Sequence, residues 1–316
     1  MMTKPRLPTE DYTVGWVCAL PVEHAAAALM LDERHQNSPR HASDTNVYLL
    51  GRIGGHNVVI VCLPFGQMGT NSATAVASQM RSTFESIEFI LIVGIGGGVP
   101  SAQADIRLGD VVISQPNSQY GGVVQYDFGK IGPGGRLTRT GFLNAPPTIL
   151  LNALATFQSN LLTCQSDLST HLSQLISRRV DFSSEKAGSD ILFEPDYNHI
   201  GGQTCDQCSR DRIVERSSRG RQEPVVHYGT IASGNLVMKD GVTRDSWSRD
   251  LGGVLCFDME AAGLMNSFPC LVIRGICDYA DSHKNKKWQP YAAATAAACA
   301  KGLLSIMPSV KAKTRT

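Results

Sequence analysis

Two acidic residues, Glu260 and Asp278, each follow a short apolar run that is typical of a buried strand. The runs are residues 254–257 and 270–276, and a helix-like segment, residues 259–268, lies between them. This pattern predicts a βαβ unit, whose two parallel strands end at the same edge of a sheet. We therefore expect both carboxylates at one edge, where open α/β sheets bind their ligands. Two carboxylates in a cleft indicate acid–base chemistry on a small polar molecule.

The composition excludes several classes of protein. A chain of 316 residues that is 42% hydrophobic and 18% charged can bury a large core. The formal net charge of +1 gives no electrostatic footprint for nucleic acid or for an anionic membrane. No apolar run reaches the roughly 20 residues of a membrane span, the polar residues 1–11 do not resemble a signal peptide, and most of the nine cysteines lie in apolar runs. These features predict a cytoplasmic protein whose partner is a small molecule.

Apolar strand-like runs alternate with helix-compatible segments along most of the chain. Strands are predicted at residues 12–20, 47–50, 58–63, 89–93, 110–114 and 225–231, and helices at residues 21–31, 70–84 and 291–304. The pair Gly54-Gly55 indicates a hairpin between the second and third of these strands. Residues 146–224 differ, because helical runs give way there to a polar stretch with few apolar residues. We interpret this segment as an insertion or lid.

Four predicted loops carry unusual residues directly after apolar strands. They contain Glu23, the glycine-rich residues 94–98, Asn235, and the pair Glu260 and Asp278. A chain that ends so many strands in acids and glycines is expected to line a pocket with them. The glycines lack the G-x-G-x-x-G spacing of a dinucleotide site, which argues against a nicotinamide-dependent dehydrogenase.

Five sequence blocks occur in the order found in a known family. They are VGWVCALPVE at residues 14–23, VGIGGGV at 93–99 followed by RLGDVV at 107–112, IASG at 231–234, MEA at 259–261 and RGICD at 274–278. Together they resemble the nucleoside phosphorylase superfamily. The resemblance is strongest to the fungal branch that occurs as an N-terminal module of NOD-like or ankyrin-repeat proteins. The resemblance to the bacterial methylthioadenosine/S-adenosylhomocysteine nucleosidases is weaker.

The resemblance implies an α/β fold, a three-layer α/β/α sandwich on a twisted mixed central sheet. Residues 12–307 would form a single domain that the insertion at about residues 146–224 interrupts. Residues 1–11 are expected to be a disordered N-terminus and residues 308–316 a basic tail. The bacterial nucleosidases complete each pocket with a residue from a second subunit, so the resemblance also implies a homo-oligomer, with a dimer favoured.

The resemblance assigns a different role to each of three acids. Asp278 would protonate or hydrogen-bond N7 of the leaving purine, and Glu260 would bind the 2′- and 3′-hydroxyls of the ribose. Glu23 aligns with the acid that activates water in the hydrolytic members. Breaking a purine N-glycosidic bond passes through a cationic sugar, so hydroxyl contacts from a carboxylate strengthen as positive charge develops there.

Further residues would contact the substrate if the resemblance holds. Met259 would pack on the ribose face, and the backbone of Ile95, Gly96 and Gly97 would approach the ribose and the nucleophile. The segment that contains Asn235, Val237 and Met238 would reach the base. Val237 stands where the bacterial nucleosidases place an aromatic residue that stacks on adenine.

The absence of arginine from two segments favours hydrolysis over phosphorolysis. Phosphorylases of this family place arginines after the first strand and before the glycines, because a phosphate dianion needs cationic partners. Residues 20–24 and 89–94 contain no arginine, and the first of these segments contains Glu23 instead. We therefore predict a nucleosidase acting on adenosine, guanosine or inosine, without a cofactor. The alternatives are a phosphate-dependent phosphorylase and a non-catalytic, nucleoside-sensing module of a signalling protein.

The polar insertion contains one motif with metal-ligand residue types. Cys205 and Cys208 are separated by two residues, with His199 upstream and His227 downstream. The spacing fits a standard zinc finger poorly, and a lone C-x-x-C motif in a polar segment is more often structural. We therefore assign no metal ligands from the sequence, and whether Cys205 and Cys208 bind a metal ion stays open at this point.

Overall fold

A mixed β-sheet forms the centre of the protein, whose computed structural model describes residues 4–37, 41–135, 137–220 and 223–309. The strands are β1 (Val14–Cys18), β2 (Glu33–Arg34), β3 (Tyr48–Ile53), β4 (His56–Cys62), β5 (Phe89–Gly98), β6 (Val111–Ser114), β7 (Val123–Gln125), β8 (Gly129–Ile131), β9 (Leu137–Arg139), β10 (Val226–Gly229), β11 (Ile231–Ser233), β12 (Cys256–Asp258) and β13 (Cys270–Asp278). The helices are α1 (Pro21–Met30), α2 (Thr70–Thr83), α3 (Thr148–Leu162), α4 (Leu168–Arg178), α5 (Ser184–Ala187), α6 (Gly241–Asp250) and α7 (Gln289–Ile306).

The order of the strands places β13, β5 and β1 side by side in the middle of the sheet. The full order is β10-β6-β13-β5-β1-β4-β3-β2, with β12 joined to β5, β11 to β12 and β7 to β11, and with β8 and β9 as a separate hairpin. Strand β5 pairs in parallel with both β1 and β13, whereas β3 and β4 form the predicted antiparallel hairpin. Gly54 has a φ of +55° in its two-residue turn, a conformation that glycine adopts at little cost.

Helices cover both faces of this sheet. Helices α1, α3, α4 and α7 contribute to the core on one face, and α2 contributes to the core on the other face. The alanine-rich α7 lies so close to β13 that a side-chain carbon on Gly275 would stand 1.8 Å from the carbonyl oxygen of Ala292. The predicted three-layer α/β/α sandwich on a mixed sheet is therefore confirmed. Among the helices described, none combines the length and apolar character required to cross a bilayer.

The predicted βαβ unit around Glu260 is wrong in two respects. Residues 259–268 contain only a 3-10 turn, Ala261–Gly263, instead of a helix. In addition, β12 pairs antiparallel with β5, while β13 pairs in parallel with the same strand. A parallel crossover usually needs a dozen residues or more, and the connection from β12 to β13 is shorter than that. The strands that lead to Glu260 and Asp278 are therefore both paired with β5, and they are not adjacent parallel strands that end at the same edge.

The glycine-rich residues 94–98 are not a loop, as the sequence suggested, but the second half of β5. Glycine weakens an isolated strand, yet here it leaves room for close neighbours on both sides. A side-chain carbon on Gly96 would lie 3.1 Å from the carbonyl oxygen of Phe257 in β12 and 3.3 Å from Cβ of Arg274 in β13. The packing of three strands thus explains why larger residues are absent.

The segment predicted as an insertion has two parts. Helices α3 and α4 occupy its first part, and Leu150, Phe157 and Leu172 from these helices join the core beside α7. Residues 183–220 contain only α5, one 3-10 turn and a single bridge between Phe193 and Ile213. At the termini, Thr9–Asp11 form a 3-10 turn within the segment expected to be disordered, whereas most of the predicted basic tail lies outside the described residues.

Candidate functional site

Glu23 occupies the third position of α1, directly after β1 and its two connecting residues. Its Oε2 accepts hydrogen bonds from the backbone N–H groups of Ala19 (2.7 Å) and Leu20 (2.9 Å), so the side chain caps its own helix. Its Oε1 accepts from the backbone N–H of Ile95 in β5 at 2.8 Å. The carboxylate is buried and fixed between the start of α1 and the glycine-rich half of β5.

Arg274 brings a positive charge to this point from the middle of β13. Its guanidinium is fully buried, and Nη2 donates to Oδ2 of Asp258 and to Oε2 of Glu260, the latter at 3.2 Å. A side-chain carbon on Gly94 would lie 2.5 Å from Oε1 of Glu23 and 2.6 Å from Nη1 of Arg274. Glu23, Asp258, Glu260 and Arg274 therefore form one buried group, which we call the carboxylate–arginine cluster.

The charges in the carboxylate–arginine cluster do not balance, because three carboxylates share one guanidinium. Burial raises the pKa values of Glu23 and Glu260 above the ordinary value, and Arg274 opposes this shift without cancelling it. Burial favours neutral arginine, but the three carboxylates, led by Asp258, hold the pKa of Arg274 above its usual range. Glu23 is consequently a stronger base than an exposed glutamate.

Asp278 ends β13 at a different point along β5. Its Oδ1 accepts from the backbone N–H of Ala280 at 2.9 Å, and its Oδ2 lies 3.2 Å from Nζ of Lys284 and 3.0 Å from Sγ of Cys277. A side-chain carbon on Gly97 would stand 2.8 Å from Oδ1. Ala280 has a φ of +52°, a left-handed conformation that is uncommon for residues other than glycine and frequent at functional sites.

Strand β5 therefore carries both ends of the candidate site. Gly94 lies against Glu23, and Gly97 lies against Asp278, three positions further along the strand. Three residues of extended chain span about 10 Å. The site thus has a buried, basic carboxylate at one end and a carboxylate paired with a lysine at the other.

Four of the sequence-predicted substrate residues lie beside the acids. Ile95, Gly96 and Gly97 lie on β5 beside the carboxylates, and Met259 is half-buried between Asp258 and Glu260. Their contact with a substrate stays a prediction, because their positions next to the acids are compatible with it but are also explained by packing.

Asn235 has a role in the fold that the sequence did not reveal. Its Oδ1 accepts from the backbone N–H and the hydroxyl of Thr70 at the start of α2, both at 3.1 Å. Its own backbone N–H donates to Asp127 at 2.6 Å. In contrast, Val237 is 47% exposed, and Met238 packs against a small buried cluster that includes Tyr126 and Phe257. The side-chain oxygen of Asn235 is therefore already used in hydrogen bonds within the protein, whereas the side chain of Val237 is accessible to a ligand.

A cavity of about 260 Å³ lies beside Asp278. Cys277, Asp278 and Tyr279 line this cavity together with residues of the polar insertion, including Cys205 and Cys208. The insertion therefore closes over the carboxyl end of β13. Of the histidines considered with these cysteines, His199 joins them, whereas His227 lies in β10 and contacts Oδ2 of Asp110 at 2.9 Å.

Sequence reasoning missed three charged residues of the site, namely Asp258, Arg274 and Lys284. The absence of arginine from residues 20–24 and 89–94 does not leave the site without one, because Arg274 enters from β13, away from the two segments where phosphorylases place theirs. A signal for Arg274 was present, since an arginine inside an otherwise apolar strand is rarely buried unless it is paired. The sequence does not reveal its partners.

Comparison with known proteins shows which family and which proteins this chain resembles. The model of the Phosphorylase superfamily matches residues 13–305. A nucleotide-binding leucine-rich repeat (NLR)-like protein of Hyaloscypha variabilis is 48% identical over 96% of this chain, which spans 30% of that relative's length. A 5′-methylthioadenosine/S-adenosylhomocysteine nucleosidase of Mycobacterium bovis is 24% identical over 95% of this chain and 98% of its own.

A solved structure supports the fold independently. The 5′-methylthioadenosine/S-adenosylhomocysteine nucleosidase of Streptococcus pneumoniae, bound to a transition-state inhibitor, superimposes with a TM-score of 0.58 at 17% identity, covering 94% of this chain and 100% of its own. The family model covers nearly the whole of the described sheet, from β1 to α7. The chain belongs to the Phosphorylase superfamily.

Proposed function

We propose that this protein is a purine nucleosidase, which hydrolyses the N-glycosidic bond of purine ribonucleosides to the free base and ribose. The observation that carries the proposal is the charge imbalance in the carboxylate–arginine cluster. Three buried carboxylates face Arg274, whose Nη2 already donates to Asp258 and Glu260. The net negative charge there would repel a phosphate dianion but would not repel a neutral water molecule.

The proposed mechanism gives each end of the site one task. Glu23 accepts a proton from the attacking water, and its raised pKa makes it a better base for that purpose. Glu260 holds the ribose hydroxyls, and its charge stabilises the cationic sugar of the transition state. Asp278 in its carboxylic acid form donates its proton to N7 of the departing purine, and the proton that Glu23 takes from water is returned through solvent to Asp278 after the products leave. Without substrate, the Asp278 carboxylate pairs with Lys284.

The choice of base and of 5′-substituent is left to segments outside the carboxylate–arginine cluster. Val237 gives the base no aromatic stacking partner, so we expect weaker selectivity for adenine than an aromatic residue would provide. The relatives include proteins described as an ATP nucleosidase of Escherichia coli and a futalosine hydrolase of Helicobacter pylori, which differ in their substrates. A substrate panel should therefore include adenosine, guanosine, inosine, 5′-methylthioadenosine and ATP.

The test is chromatographic detection of free base and sugar from this panel, with and without phosphate. Hydrolysis predicts equal rates in both buffers and a sugar with a free anomeric hydroxyl, which is ribose for adenosine, guanosine and inosine. The variant Glu23→Gln should lose about 10²- to 10⁴-fold in kcat, the range of positioned acid–base catalysis. Glu85→Gln, at an exposed position of the turn that follows α2, is the matched control and should retain the rate. A rate that requires phosphate and yields ribose 1-phosphate refutes the proposal in favour of a phosphorylase.

A second candidate function is nucleoside sensing without turnover. It is favoured by the relative from Hyaloscypha variabilis, an NLR-like protein of which this chain matches only 30%. Calorimetric titration of each nucleoside, combined with the product assay, separates the two functions. Binding without release of base identifies a sensor, and light scattering of the same samples tests the predicted dimer.

A further inference from the structure

The polar insertion is fastened to the loop that follows β13. The backbone N–H of His199 donates to the hydroxyl of Ser282 at 2.9 Å. The ring of His283 stacks on Phe193, with 4.0 Å between the ring centres and 17° between the planes. The loop in question begins at Asp278, so the insertion contacts the chain only a few residues after the proposed base-binding acid.

Three side chains with strong affinity for transition metals converge at this junction. One ligand atom from each of His199, Cys205 and Cys208 lies within 4.8 Å of the other two. Around a tetrahedral zinc ion, with Zn–S bonds of about 2.3 Å, two sulfur ligands stand about 3.8 Å apart. The three groups are therefore near the separations that a shared ion requires, and short side-chain rotations would close the difference.

The hydrogen bonds of His199 suit a metal ligand. Its Nε2 lies 3.0 Å from the carbonyl oxygen of Thr204, to which the ring N–H can donate. That bond selects the tautomer whose Nδ1 carries a lone pair, as metal-binding histidines usually require. Nδ1 accepts a hydrogen bond from the backbone N–H of Gly201 at 3.2 Å, and metal binding would replace this bond.

His283 is the candidate for a fourth ligand, although its ring nitrogens lie outside the set of ligand atoms that are within 4.8 Å of one another, so its ring would move toward the ion on binding. Its side chain is buried, and neither ring nitrogen has a hydrogen-bond partner among the described residues. Oδ1 of Asp281 lies 3.8 Å from Nδ1, beyond hydrogen-bond distance. The ring centre lies 5.6 Å from that of His199. Two imidazoles on one zinc ion, with Zn–N bonds of 2.0–2.1 Å, place their ring centres about 5 Å apart.

We propose that His199, Cys205, Cys208 and His283 bind one zinc ion. Two thiolates and two imidazoles form a ligand set that zinc takes in closed, four-coordinate structural sites. The ion would join the insertion to the loop after Asp278, where residues 183–220 have little regular secondary structure to hold them in place. The site is independent of the proposed nucleosidase activity, because it rests on ligand geometry alone.

The first experiment measures metal content. The chain is expressed without a histidine tag in zinc-supplemented medium, and elemental analysis follows extensive dialysis. We expect about one zinc per chain in the unchanged protein, and loss of that zinc in Cys205→Ser and Cys208→Ser. Cys164→Ser, which replaces an exposed cysteine away from the junction, is the matched control and should keep the metal. Unchanged protein that retains no zinc, or a double cysteine variant that retains all of it, overturns the proposal.

The second experiment identifies the ligands spectroscopically. Cobalt(II) replacing zinc should give thiolate-to-cobalt absorption in the near ultraviolet and intense tetrahedral bands in the visible range. His283→Ala should change the visible bands while keeping the thiolate absorption, whereas His41→Ala, at an exposed position, should change neither. Thiol counting under denaturing, metal-free conditions tests the alternative. A Cys205–Cys208 disulfide in freshly purified protein refutes the site, and an unchanged spectrum in His283→Ala refutes the assignment of the fourth ligand.

Discussion

Replacing Arg274 with methionine tests the electrostatic argument most directly. The side chain is fully buried, and its removal leaves Glu23, Asp258 and Glu260 without their shared cation. Removing one partner of a buried ion pair costs about 3–5 kcal/mol, because the remaining charge is desolvated and unpaired. We expect a loss of that size in the free energy of unfolding at pH 7.5.

The loss should shrink on acidification. Burial already raises the pKa of Glu23 and of Glu260 in the folded protein, and without Arg274 these values rise further. A carboxyl whose folded pKa exceeds its unfolded pKa takes up a proton on folding, so lower pH favours the folded state. If Arg274→Met takes up one more proton than the unchanged protein between pH 7.5 and 5.5, it recovers about 2.7 kcal/mol, at 1.36 kcal/mol per pH unit.

The assay is urea denaturation of both proteins at the two pH values. Arg244→Met is the matched control, because Arg244 is equally buried but pairs with Asp245, which is partly exposed and can be solvated when the arginine is lost. Its destabilisation should be the same at both pH values. An equal loss for Arg274→Met at pH 7.5 and 5.5 refutes the reasoning, since it would mean that Arg274 does not neutralise buried carboxylates.

Three further predictions concern catalysis. Asp278→Asn should lower kcat for base release by about 10²- to 10⁴-fold while nucleoside binding stays measurable by calorimetry, and abolished binding in a folded variant would contradict the assigned role. Gly97→Ala should lower the same rate, because the new carbon would stand 2.8 Å from Oδ1 of Asp278. Gly220→Ala should be neutral, because no heavy atom of the described residues outside its chain neighbours would lie within 4 Å of the new carbon; equal rates in the two variants would exclude the steric argument. The acidic limb of the pH–rate profile should lie above pH 4.5, because Glu23 and Glu260 act as carboxylates and both have raised pKa values, so activity falls as pH drops through them. A limb at or below pH 4.5 would show that neither ionisation controls the rate.

The sequence predicted those elements that depend on local patterns. Strands β1 and β13 were recognisable as apolar runs, and α1 was recognisable from Pro21 at its start. The second half of β5 was not recognisable, because glycine is unfavourable in strands and only its neighbours across the sheet explain it. The segment after Glu260 has a helix-compatible composition, but the requirement to join two strands paired with β5 allows only a turn.

The residues of the candidate site also differ in whether local sequence patterns could predict them. The acids at positions 23, 260 and 278 follow apolar runs, so sequence pattern and family resemblance were enough to find them. The ion pairs of Arg274 with Asp258 and Glu260 could not be derived, because periodicity shows that a residue lies in a strand but not which distant side chain it meets. The approach of His199, Cys205 and Cys208 to one another, and of His199 to His283, depends on the path of the insertion, for which the polar sequence offers no periodic signal.

The glycine-rich half of β5 also limits how this site can change during evolution. The backbone of β5 touches Glu23 through Gly94 and Asp278 through Gly97, and it contributes no side chain at either position. A substitution at either glycine cannot shift the position of its acid by a small amount, because any added side-chain carbon would lie less than 3 Å from a carboxylate oxygen. Under the proposed function, we therefore expect changes of substrate preference in segments such as residues 235–238 and the insertion, which would let the choice of nucleoside vary while the cleavage chemistry stays the same.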